Sequence, residues 1–173
     1  ALERASTDPR LNEQVGRIIN DVLVEVTQAV HAQTVNSQSP DLAAGFAKLV
    51  NAVRPHIDPN KAHEAQQTLS DSGYFTALLE YELAQCSANI LPPTDDSSEI
   101  DRATYASRRL SLSRCLANIG RHDEALKAVR EATKLYRTLA EHNPGTYTPN
   151  LASSLNNLAG SQAENGQPHD ALQ

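Results

Sequence analysis

An all-α fold, built as a solenoid of repeated helix hairpins, is what this sequence predicts, on three observations. The stretch from Tyr105 to Leu126 recurs in outline from Leu151 to Leu172 at one offset of 46 residues without a gap: Gly120 aligns with Gly166, Ala125-Leu126 with Ala171-Leu172, Ala106-Ser107 with Ala152-Ser153, Leu112 with Leu158 and Ala117 with Ala163. A period of roughly 20 to 50 residues marks units that each leave an apolar face bare until a neighbour covers it. The composition is 39% hydrophobic but only 4% aromatic, which suits close-packed helices rich in Leu, Ala, Val and Ile. Long apolar-periodic segments separated by brief Gly or Pro punctuation leave almost no strand pattern.

The elements follow in order. Asp8-Pro9 starts a first helix in which Leu11, Val15, Ile18, Ile19, Val22, Leu23, Val26 and Val30 keep helical spacing, fading near Val35. After the polar turn Asn36 to Pro40, Asp41 begins a second, with Leu42, Phe46, Leu49, Val50 and Val53 on one face, which Pro55 ends or kinks. Asp58-Pro59 opens a third over Asn60 to Ser72, and Gly73 turns the chain into a fourth over Tyr74 to Ile90. The longest loop pattern runs from Leu91 to Ser98, where Ser98 with Asp101 resembles an N-cap followed by an acidic first turn. Helices are then predicted over Glu99 to Ile119, Arg121 to His142, Pro149 to Asn165 and from Gln167 onward. In the second of these, Ala125, Leu126, Val129, Ala132, Leu135, Tyr136 and Leu139 form an apolar stripe, while Arg121, Lys127, Arg130, Glu131, Lys134 and Arg137 form a wet face.

The pattern Leu-x3-Gly-x4-Ala-Leu from Leu116 to Leu126, joined to Leu135-Tyr136-Arg137 and Asn143-Pro144, resembles a tetratricopeptide repeat. Ala125 and Ala132 match the small residues that the family places where its two helices cross, and Gly120 matches the turn. A period of 46, against about 34 in the standard unit, is similar to the longer arrays of kinesin light chains and of signalling NTPases, and implies longer helices and a longer connector. The resemblance covers Ser98 to Gln173. Upstream, Leu69-x3-Gly73 suggests one degenerate unit, with Leu78 and Gln85 where small residues are expected and Ala84 one position off. It implies three parts: an N-terminal helical segment (1–57), a degenerate hairpin and linker (58–97), and repeats ending in a truncated one (98–173). The architecture implied is a right-handed superhelix of antiparallel hairpins. The absence of Met, the start at Ala1 and the end at Gln173 point to a piece of a longer chain.

Chemistry-bearing patterns are sparse. His31, His56, His63, His122, His142 and His169 are scattered, and His122-Asp123-Glu124 reads as a solvated helix start rather than a ligand set. Ser111, Ser113 and Cys115 lie in no nucleophile elbow, and no phosphate loop occurs. No catalytic residue, metal or cofactor is therefore expected. Cys86 and Cys115 sit in apolar helical stretches and read as small buried hydrophobes. The formal charge of −6 disfavours nucleic acid, no run of ~18 apolar residues suits a bilayer, and no signal-peptide layout is present, so a cytoplasmic setting with neither nucleic acid nor membrane as partner is expected.

What remains is a surface. Asn156-Asn157 interrupts the apolar pattern of the helix that lines the inner face in the family, where an amide can offer both donor and acceptor to an extended peptide; the alternative is that the pair only solvates an exposed face or caps contacts between repeats. The aligned residues one repeat earlier are Leu110 and Ser111, so a two-repeat Asn pair is absent, and Arg114 and Asn118 are the further polar candidates. The expected function is a non-enzymatic interaction module that holds a peptide or helix on its concave face. The rival is a regulatory, self-associating segment of a larger signalling protein, pairing through an open C-terminal repeat edge at Leu151, Leu155 and Leu158.

Overall fold

The computed structural model describes residues 9–69 and 76–166, and among them the chain is all-α, with seven α-helices, one 3₁₀ turn and no strand. It divides into two compact units, residues 1–89 and 90–173. The predicted turn at Gly73, His169, and the second copies of Ala125 and Leu126 at Ala171 and Leu172 lie outside the described residues.

In the first unit α1 (Pro9–Ser37) and α2 (Asp41–Val53) run into a 3₁₀ turn, Arg54–His56, followed by α3 (Pro59–Gln67) and α4 (Ala77–Ser87). Gln38 adopts a left-handed φ of 50° and so ends α1 before Pro40. Asp58 caps α3, its carboxylate accepting from the amides of Asn60 (2.8 Å) and Lys61 (3.0 Å), with Pro59 at the first helical position where no amide is needed. One core draws on all four helices, with Leu23, Val50, Val53, Leu69, Leu79 and Leu83 at its centre. The helix predicted to reach Ser72 stops at Gln67, because the amides of Thr68 and Leu69 turn back to the carbonyls of Ala65 and Gln66, and the Thr68 hydroxyl donates to Ala65 as well. Leu78, aligned by the sequence with the crossing alanine, is 42% exposed, while Leu79 beside it is fully buried. The buried face of α4 is therefore out of register with the later repeats.

The second unit is built from α5 (Glu99–Asn118), α6 (His122–His142) and α7 (Pro144–Glu164). Ser98 accepts from the amide of Asp101, whose carboxylate accepts in return from the Ser98 amide, so the predicted cap is a full capping box. Gly120 (φ 79°) and Gly166 (φ 71°) both take the left-handed turn that favours glycine. Matching hydrogen bonds precede them: Ile119 to Cys115 and Gly120 to Ala117 after α5, Asn165 to Ser161 and Gly166 to Ala163 after α7. The 46-residue sequence repeat is thus a repeat of helix-end geometry.

Two expectations about this unit are corrected. The third helix begins at Pro144 rather than Pro149. Pro144 tolerates the first helical position, the Asn143 carbonyl accepts from the amides of Thr146 and Tyr147, and Pro149 is absorbed within the helix. The longer period also brings no longer connector: three residues separate α5 from α6 and Asn143 alone separates α6 from α7, so the extra length lies in helices of 20 and 21 residues.

Candidate functional site

The face that the sequence singled out depends on how α5 and α7 sit on α6. Ala125, Val129 and Ala132 of α6 are fully buried and Leu126, Tyr136 and Leu139 nearly so, which lets neighbouring backbones approach closely. Contacts along the helices run in opposite order. On the α5 side Arg109 pairs with Glu131 (2.6 Å) and Glu99 accepts from Asn143 (3.4 Å). On the α7 side Thr133 donates to the Ser154 carbonyl (3.3 Å), and at the far end His122 meets Glu164 (3.2 Å) and Asn165 donates to Asp123 (2.9 Å). Both helices are therefore antiparallel to α6 and parallel to each other.

Tyr136 bridges the two. Its hydroxyl, on a side chain only 2% exposed, hydrogen-bonds Ser107 of α5 and Asn150 of α7. Burial raises the phenol above its ordinary value, and those two hydrogen bonds pull it partly back. The ion pair and hydrogen bonds above set α5 against α7 at an offset of about 46 residues, as in the sequence repeat, so Asn157 stands level with Ser111, and Arg114 lies about one helical turn further along. Arg114 and Asn157 are exposed, as are Asn118 and Asn156. None of these four side chains has a hydrogen bond or ion pair among the described residues. Ser111 differs, being half-buried and already engaged within the chain.

The arrangement offers side-chain amides and one guanidinium to solvent along two parallel helices, a chemistry suited to main-chain amides and carboxylates. Sequence reasoning missed the tyrosine bridge: Tyr136 was read within an apolar stripe and the Leu135-Tyr136-Arg137 motif, Ser107 only as part of the 46-residue repeat, and nothing singled out Asn150. Arg109 was missed too, its guanidinium lying 5.9 Å from the centre of the Tyr105 ring while it holds Glu131.

Elsewhere the reactive groups stand apart. Among the described residues no group of three or more His, Cys, Asp and Glu is placed to hold a metal ion. His142 bonds the Thr138 carbonyl of its own helix, and His63 pairs with Gln67. Neither cysteine is in a disulfide and both are buried, and burial pushes the Cys86 thiol up to about 12. No described helix is long and apolar enough to cross a membrane. Comparison with protein-family models, with curated proteins and with solved structures found no match.

Proposed function

We propose that the second unit is a tetratricopeptide-like, right-handed solenoid segment acting in the cytoplasm as a non-enzymatic protein-interaction module, and that the face formed by α5 and α7 holds an extended peptide. The observation that carries the reading is that α5 and α7 run parallel on α6, bridged by Tyr136, and leave Arg114 and Asn157 exposed and unpaired within about one helical turn of each other. Asn157 and Asn156 supply amides for the main chain of the peptide, Asn118 extends the polar row, Ser111 lines it, and Arg114 attracts a carboxylate.

The test starts from peptides selected out of a displayed random library against the whole chain, followed by binding isotherms. Asn157→Ala should weaken the selected peptide by about 0.5 to 1.5 kcal/mol, as for one lost hydrogen bond. Arg114→Ala should add a loss that shrinks as salt is raised. Helical circular dichroism should stay unchanged in both. Selected peptides that bind both variants as tightly as the parent chain refute the assignment of this face.

A second reading rests on α7 itself. Leu155 is 39% exposed and Leu151 and Leu158 are only half-buried, so this helix presents an apolar row through which copies could associate. Light scattering over a dilution series decides it, since Leu155→Glu should abolish any concentration-dependent rise in mass.

A further inference from the structure

The wet face of α6 is not used by the peptide site, and its charges are ordered. Lys127, Arg130, Lys134 and Arg137 are all exposed, and at steps of three, four and three residues they fall within ~80° of arc on the helix, opposite the buried face. The row is about 15 Å long. Asp123 stands one step before it and Glu141 one step after it, both exposed on the same arc.

Three of the four charges of this row have no partner within the described part of the fold. Like charges three and four residues apart on a helix repel, and Lys127, Lys134 and Arg137 have no side-chain hydrogen bond or ion pair among the described residues. The one acidic residue in the middle of α6, Glu131, is turned to Arg109 of α5, and Asp123 is engaged by Asn165. Four of the nine Lys and Arg in residues 90–173 are thus concentrated on one helix face of a chain whose net charge is −6.

We propose that the outer face of α6 is a second docking surface, for an acidic peptide segment whose carboxylates recur at helical spacing. Charge complementarity names the sign of the partner, and the acids at both ends name its class. A nucleic-acid strand or an anionic bilayer is a continuous polyanion and would run over Asp123 and Glu141, whereas a discrete acidic segment of about three turns fits between them. The apolar residues of α6 face inward, so the surface has nothing to insert into a bilayer.

The experiment uses the whole chain carrying Arg114→Ala, so that the other candidate face cannot bind the probe through its guanidinium. The probe is a fluorescent alanine-glutamine helix bearing four glutamates at steps of three, four and three; its partners are the same composition scrambled, phosphatidylserine vesicles and a single-stranded oligonucleotide. The ordered peptide should bind more tightly than the scrambled one, with an affinity that falls as salt rises, and Lys134→Glu with Arg137→Glu should weaken it about tenfold. The milder pair Lys134→Gln with Arg137→Gln should give a smaller loss with an unchanged helical spectrum. No binding, equal binding of ordered and scrambled peptides, or tighter binding to the vesicles or the oligonucleotide overturns the proposal.

Discussion

Burial is what makes Cys86 informative. Its side chain is 1% exposed, and the loss of water raises the thiol to about 12, with Glu82 adding to the rise and Arg54, paired with Glu82, opposing it. The group is protonated in the folded chain at every pH where an unfolded thiol, ordinarily near 9, begins to ionise. The unfolded chain therefore binds fewer protons above that point, and the stability of the first unit falls as pH rises from about 9 towards 12. Urea unfolding followed at pH 8, 9 and 10 should show that decline, and Cys86→Ala should remove part of it. A decline of equal steepness in the variant assigns the effect to other groups. Gly16 illustrates a residue whose role no spacing reveals: a Cβ there would meet the Cβ of His56 at 2.4 Å, so α1 and the 3₁₀ turn approach as closely as they do only because position 16 has no side chain.

At the scale of the element, helix starts with polar caps were legible and other boundaries less so. Asp58-Pro59 and Ser98 announce their helices because their side chains satisfy the first free amides. The early end of α3 depends on where Thr68 and Leu69 turn back, and Pro144 was missed because the second proline, Pro149, drew the predicted start to itself. Ser98 offers the cleanest test. It closes a capping box at the entry to α5, and Arg102 braces the same entry by donating to the carbonyls of Thr94, Asp95 and Ser97. Ser98→Ala should cost about 0.5 to 2 kcal/mol, read as a shift in the unfolding of the second unit, and Ser98→Thr should restore most of it because its hydroxyl can both accept from the Asp101 amide and donate to the Asp101 carboxylate. A melting curve unmoved by Ser98→Ala would mean that the arginine brace alone holds the entry.

For the whole molecule, the helical class was fully legible and the candidate site only in part. Exposed polar residues on α5 and α7 could be picked from the repeat, but the bridge between those helices, Tyr136 reaching both, is a contact across three elements that no single helix pattern encodes. The repeat itself governs only the second unit, whereas the first is organised around its own core of aliphatic side chains. Cores of this kind respond to local insults. Ala125, with no exposure, has no room for a larger side chain, so Ala125→Leu should cost about 1 to 3 kcal/mol by overpacking α6 against its neighbours. Leu83 is equally buried in the other unit, and Leu83→Ala should cost about 2 to 5 kcal/mol by opening a cavity. Two compact units with separate cores predict two transitions in calorimetry, the first substitution lowering one and the second lowering the other. A single transition lowered by both substitutions would show instead that the 173 residues unfold as one cooperative body, and an undisturbed melt after Ala125→Leu would remove the close helix crossing on which the repeat reading depends.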